Sequence, residues 1–327
     1  MTLVAVWIRQ NHTLRELVAI ADSRISGGES WDKCPKLLPL PRPATAIAMS
    51  GDATAAYAFL IQATNLCLLL DGNQSGRTDI AYLARKLCDV YSDSRADVGD
   101  LPVGSDVPEI PELDVVLMGW SWRRLCFEGY SYRYDRFGVV RMTPLNELNP
   151  QSPYGVYFAG DAHTEARGRL RRLIQERKYS IPLRGHSDAR AVARDANLDW
   201  EPLEILSDLI ADHDARTVGG VPQLLRIYQY GETESFVWRT AEGVDHFGGR
   251  PVNKGERFDR RIAKFINGKL EIMMSDQSIM SSASLAAEVA APPELTDVLF
   301  VESDAQTVEV GFESASTLNS SGDGQQR

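Results

Sequence analysis

Leu17–Gly28, "LVAIADSRISGG", is the stretch on which the reading of this chain turns. An apolar run ends in Asp22, Ser23 and Arg24 and then breaks at glycines. Side chains two apart in a strand point to the same face, so Asp22 and Arg24 are expected to share one face, with Ser23 on the other. A solvated ion pair at a strand end contributes little stability. An acid and a base at the mouth of a buried sheet make a polar site instead. The segments that reach this strand end decide between the two.

Upstream, residues 3–8, "LVAVWI", are apolar and β-rich, and the polar "RQNHTLRE" (9–16) joins them to the opening stretch. Two short apolar runs with a polar connection predict a buried hairpin. Downstream, "TAIAM" (45–49) predicts a third strand. It ends in "SGD", and a helix is expected from about 53 to 70, capped by Ser50 or Asp52. A second helix, about 79–91, puts Ile80, Leu83, Ala84, Leu87 and Cys88 on one face, with Thr78 or Asp79 as cap. Residues 93–112 are acidic and rich in Pro and Gly, as in a loop or insertion.

Strands are then expected at 113–120, 124–134 and 154–160, helices near 164–176 and 201–213, and strands at 223–231 and 235–240. The strands group into hairpins rather than alternating one-for-one with helices. That pattern argues for antiparallel sheets packed face to face with helices outside them, an α+β class. Beyond 240 the pattern weakens. "FINGKLEIMM" (265–274) reads as a hairpin turning at Asn267-Gly268, 281–294 as a linker or short helix, and 296–303 and 307–312 as strands. The last dozen residues read as disordered.

The chain has 327 residues, 43% of them apolar, and a net charge of −10. That argues against nucleic acid and anionic membranes as partners. The basic clusters at 167–172 and 257–264 read as solvated helix faces. The longest apolar run, 56–70, is interrupted by Gln62, Thr64 and Asn65 and suits a buried helix rather than a membrane span. No basic segment precedes the first apolar stretch, so no signal peptide is expected. Cys34, Cys67, Cys88 and Cys126 form no CxxC and read as reduced thiols of a cytoplasmic protein. His12, His163, His186, His213 and His246 make no HExxH, and neither GxSxG, GxGxxG nor a Walker motif is present. No metal or cofactor is expected.

Met1 is followed by Thr2. Removal of the methionine would expose a threonine whose own α-amine can serve as base, a recognised way to activate a poor nucleophile. "DKCPKLLPLP" brings Lys33 and Lys36 to the third strand, and a lysine beside an acid and other cations tunes the field at a hydroxyl. "AMSGDATAA" puts Gly51 at a strand-to-helix turn, where an N–H can hold an oxyanion.

Together, "TLVAV" (2–6), "ADSR" (21–24), "KLLPL" (36–40) and "MSGDATA" (49–55) resemble the proteasome β-subunit and HslV group of N-terminal nucleophile hydrolases. "DVVLMGW" (114–120) resembles that family's central strand, and "HDARTVGGVPQLLRI" (213–227) its Asp-x-x-Ser-Gly-Gly segment. The resemblance spans residues 2–240. It implies a four-layer αββα sandwich there, with a C-terminal extension at 241–327. It also implies Thr2 as nucleophile, Asp22 and Arg24 as the acid and base of the second strand, Lys36 as the site lysine with Lys33 as competitor, Gly51 as oxyanion donor, and Asp214 and Thr217 as supporting acid and hydroxyl. The sequence departs from the pattern in two places: alignment on Ala5 sets the family's threonine at Met1, and Val218 is extra before the glycines. The implied activity is cleavage of peptide or other amide bonds by a homo-oligomeric ring, with any partner ATPase unidentified. The alternatives are an inactive scaffold subunit of the same kind and a non-peptide amidase. Lys36→Ala is expected to abolish turnover and leave the fold intact.

Overall fold

The computed structural model describes residues 2–11, 14–26, 29–96, 109–145, 153–177, 197–212, 214–256, 261–266 and 268–274. The chain opens with an antiparallel hairpin, β1 (Val4–Asn11) and β2 (Leu14–Ala21). Most of residues 9–16, expected as a polar connection, are strand. Arg9 stands opposite Glu16 and donates to its carboxylate at 2.6 Å, so these polar residues are cross-strand partners. Two short paired strands follow, β3 (Ile25–Ser26) and β4 (Ser30–Trp31).

β5 (Leu37–Pro39) and β6 (Thr45–Gly51) lead into α1 (Ala53–Leu69). Of the two expected caps, Asp52 is the one used: its carboxylate accepts from the Ala55 N–H at 2.9 Å. α2 (Ile80–Ala96) starts under Asp79, which accepts from the Ala81 N–H at 3.1 Å. It runs past the expected end at 91 into the stretch read as a loop, of which residues 97–108 lie outside the described part.

β7 (Leu113–Ser121), β8 (Cys126–Tyr134) and β9 (Val140–Leu145) form a meander. β9 was not expected. It is an edge strand containing Pro144, and of its six residues only Val140 and Leu145 are buried, so its apolar pattern is faint. β10 (Val156–Ala159), α3 (His163–Glu176), α4 (Glu201–Ala211) and β11 (Gln223–Tyr228) follow. Then come β12 (Thr233–Ser235), β13 (Val237–Arg239), β14 (Asp245–Phe247), β15 (Arg250–Pro251), β16 (Arg261–Ile266) and β17 (Lys269–Met274). The basic residues Arg261 and Lys264, expected on a helix face, lie in β16, because Ile262 and Ala263 pair with Val237 and Trp238 and are buried.

The strands form three five-stranded sheets, β10-β1-β2-β11-β12, β5-β6-β7-β8-β9 and β15-β14-β13-β16-β17. The first two are antiparallel throughout. In the third, β13 and β16 run parallel, and the sheet spans residue 240.

Alternation along β1 and β2 explains their unbroken apolar runs. Val4, Val6, Ile8, Leu17 and Ala19 pack with Ala46, Ala48, Val116 and Met118 of the second sheet. Leu3, Ala5, Trp7, Val18 and Ile20 pack with α3 and α4 through Ala166, Leu170, Leu203 and Leu206. Both faces are therefore covered. The second sheet is likewise covered by α1 and α2, through Phe59, Ala63, Leu83 and Leu87 against Ile47, Val115 and Leu117. Phe236, between β12 and β13, and Trp238 and Ala263 of the C-terminal sheet join the cluster that holds α3 and α4. Among the described residues no helix is long and apolar enough to cross a membrane. The expected segments at 281–294, 296–303, 307–312 and the tail lie outside the described residues.

Candidate active site

β2 ends at Ala21, and the chain turns at Asp22. The Arg24 N–H donates to Asp22 Oδ2 at 3.1 Å, so strict alternation stops and Asp22 and Arg24 do not share a face. Arg24 instead makes a two-pronged pair with Asp32, at 2.6 and 2.9 Å, while Asp22 turns inward. The acid and base of the opening stretch are thus partners of other residues.

Asp22 is the anchor of the site. Its Oδ1 accepts from the Leu3 N–H at 3.0 Å and from the Lys36 ammonium at 2.8 Å. Its Oδ2 accepts from Gly219 N–H at 3.1 Å. One carboxylate therefore sets the start of β1, the lysine before β5 and the loop before β11 relative to one another. The Lys36 ammonium also donates to Thr2 Oγ1 and to the Arg24 carbonyl. Thr2, Asp22 and Lys36 are 2%, 0% and 1% exposed. Of the two candidate lysines, Lys36 occupies the site and Lys33 is exposed.

Burial pushes Lys36 below the ordinary lysine range, with Asp22 opposing the shift. Burial also raises Asp22, opposed by the Lys36 charge and by the Leu3 and Gly219 N–H groups. Removing Lys36 alone would leave a buried carboxylate without its cation, so Lys36→Ala is expected to cost stability as well as activity, contrary to the expectation of an intact fold.

Gln223, the first residue of β11, was missed in the sequence. Its Oε1 accepts from Lys36 N–H at 3.0 Å, and its Nε2 donates to the carbonyls of Asp22 and Cys34 at 3.1 and 2.9 Å. One amide thereby staples the Asp22 and Lys36 segments together. A lone glutamine opening the apolar "QLLRIY" was the available signal.

The segment containing Asp214 and Thr217 reaches the site by its backbone. Asp214 is exposed and Thr217 half-buried, and among the described contacts neither side chain meets Thr2, Asp22 or Lys36. Gly219 supplies the N–H instead, and its carbonyl accepts from Ser23 N–H at 3.1 Å. A Cβ at Gly219 would lie 2.3 Å from Arg24 Cζ, so a larger residue there would have to displace the Arg24 guanidinium. The extra Val218 is buried in the cluster under the first sheet.

Gly51 ends β6 with φ 97° and borders a cleft of about 410 Å3. Ser50, Gly160 and His163 line the same cleft. Gly160 brings it against the threonine, since a Cβ there would lie 2.0 Å from the Thr2 carbonyl oxygen. His163 Nδ1 donates to the Gly160 carbonyl at 2.7 Å.

No family model matches this chain, and no curated protein does. Chemically, the arrangement offers a hydroxyl held by a buried, pKa-lowered lysine, a carboxylate fixing that lysine, and an open cleft alongside. Among the described residues no group of three or more His, Cys, Asp or Glu side chains is arranged to hold a metal ion.

The C-terminal sheet also touches the site. A Cβ at Gly249, between β14 and β15, would lie 2.6 Å from Ser23 Cβ and 3.1 Å from Cys34 N, and one at Gly248 would lie 3.5 Å from Pro35 Cβ. That turn braces both segments that carry Asp22 and Lys36.

Proposed function

We propose that this chain is an N-terminal nucleophile hydrolase cleaving peptide or other amide bonds, with Thr2 as nucleophile once the peptide bond before it is cut. In this reading the two facing sheets with helices outside them are the four-layer αββα sandwich of that class. The observation that carries the reading is the hydrogen bond from the buried Lys36 ammonium to Thr2 Oγ1, with Asp22 holding the ammonium.

Thr2 Oγ attacks the amide carbonyl carbon. The free α-amine of Thr2 takes the hydroxyl proton and later gives it to the departing amine nitrogen, as the C–N bond breaks. Lys36 favours the developing alkoxide by charge and hydrogen bond, and the Gly51 N–H is the proposed donor to the oxyanion. Water then attacks the Thr2 ester, its proton passing to the amine, and the acid leaves with Oγ restored. Assembly into a homo-oligomeric ring belongs to the same proposal.

The test is labelling with a threonine-directed epoxyketone or β-lactone, followed by peptide mass mapping of protein whose Thr2 amine is shown free by intact mass. An adduct on Thr2 that is lost in Thr2→Ala is the expected result. Folded protein with a free Thr2 amine and no adduct would overturn the hydrolase reading and favour a scaffold role.

A further inference from the structure

The cleft beside Thr2 has walls of two kinds. Ile110, Pro111 and Tyr134 give an apolar side. The polar side carries Glu112, Asp114 and Asp161 against one guanidinium, Arg133. Arg133 is committed already: it donates to Asp114 Oδ2 at 2.5 Å and to the Tyr157 hydroxyl at 3.0 Å, and Tyr157 donates to Asp114 Oδ1 at 3.1 Å. Asp114 and Arg133 therefore cancel. Glu112 and Asp161 are exposed and, among the described residues, form no ion pair. The cleft therefore holds two carboxylates outside any ion pair among the described residues, within a concave space of about 410 Å3.

The position of this space matters as much as its charge. Its floor at Gly160 abuts the Thr2 carbonyl, and Asp161 lies close enough for its charge to oppose, weakly, the lowering that burial imposes on Lys36. Concave walls with an apolar stem-binding side and a net negative end suit a long side chain ending in a cation, because such chains lay methylenes on apolar surface and keep the charged head near carboxylates.

We propose that this cleft binds a cationic substrate group, an alkylammonium or alkylguanidinium, whose stem lies on Ile110 and Pro111 and whose charge faces Glu112 and Asp161. The claim that this group belongs to the amide being cleaved rests on the reading of Thr2 as nucleophile. The claim that the cleft selects cations does not.

The experiment is calorimetric titration of the full chain with N-acetyl-arginine amide, N-acetyl-citrulline amide and N-acetyl-glutamate amide. The same titrations are run on Thr2→Ala and on Glu112→Gln/Asp161→Asn, with melting curves to verify folding. Exposed charge contacts contribute up to about fivefold each, so the arginine amide should bind about tenfold more tightly than its neutral isostere. The double variant should erase that preference and Thr2→Ala should keep it. Equal binding of arginine and citrulline amides, preference for glutamate, absence of binding, or a preference that survives the double variant would each overturn the proposal. An arginine preference without Thr2 labelling would remove the hydrolase reading and leave the cleft. Labelling without an arginine preference would do the reverse.

Discussion

The β1–β2 hairpin carries a buried ion cluster at each end. At the turn end, Glu16 accepts from Arg9 at 2.6 Å and from Arg226 at 3.4 Å. At the open end, Asp22 accepts from Lys36 at 2.8 Å. Both carboxylates are sealed from water, Glu16 at 2% and Asp22 at 0% exposure. The cations differ. A guanidinium stays protonated throughout the range in which proteins fold, so the Glu16 cluster holds fixed charge. Its arginines also lie over rings, Arg9 at 4.7 Å from Trp200 and Arg226 at 4.5 Å from Phe236, which is packing work. A lysine is a point charge whose pKa moves on burial, and Lys36 is aimed at a hydroxyl. Burying an ion pair does not by itself mark a site. The hydrogen bond from Lys36 to the Thr2 hydroxyl is what sets the open end apart as the candidate site.

The largest effect that separates the two clusters is expected at Lys36. Lys36→Met should lower turnover by about a thousandfold, the scale for removing a group that stabilises developing charge. Lys36→Met should also destabilise by about 3–5 kcal/mol, because Asp22 is left with only backbone N–H partners. Turnover assays and urea melts on the same samples check both. Normal turnover in Lys36→Met would mean that the charge and hydrogen bond of Lys36 do not serve Thr2.

Next in size is Gly249. Its φ is 87°, and a Cβ there would press on Ser23 and Cys34. Gly249→Ala should shift the Asp22 and Lys36 segments and lower kcat by about tenfold to a hundredfold, since a displacement near 1 Å can cost that much. A variant with wild-type kcat would show that the C-terminal sheet does not brace the site.

How much of this was legible in the sequence follows from range. The β1–β2 hairpin and a cap at Ser50 or Asp52 follow from apolar runs and short motifs, which are local, whereas the grouping of Thr2, Asp22 and Lys36 came from the resemblance their motifs carry. Asp32 was invisible as the partner of Arg24, because it comes from the next hairpin and nothing in "SWDKC" says which way it turns. Gln223 joins segments 187 and 201 residues away in sequence, so only the fold brings its amide to the site. The two- and three-residue strands β14 and β15 carry no periodicity to read. Asp214 and Thr217 came from motif position alone, and the loop delivers the Gly219 backbone N–H instead, a contact that no side-chain motif announces.

At the turn end, Arg226→Met should cost about 1–3 kcal/mol, because a hydrogen-bonded charge is lost while Glu16 keeps Arg9. Its kcat should equal wild type. A fall in kcat without a fall in stability would join the two clusters and break the contrast drawn between them.

The smallest expected effect is the pH slope of stability, and it tests the contrast directly. Burial holds Lys36 below 10.5 in the folded chain. Between its folded pKa and that ordinary value, the unfolded chain binds a proton that the folded chain lacks. Stability therefore rises as pH climbs through this window, by at most one proton per molecule. Asp22 acts elsewhere. Burial raises it above 3.8, so just above that value the folded chain holds a proton the unfolded chain has released, and stability falls as pH rises there. A guanidinium keeps its proton in both states and adds no slope. In urea melts taken from pH 7 to 10, Lys36→Met should lose the alkaline rise and Arg226→Met should keep it. An unchanged rise in Lys36→Met would mean that Lys36 is not held below its ordinary range, and the open end of the hairpin would then be a structural pair like the other.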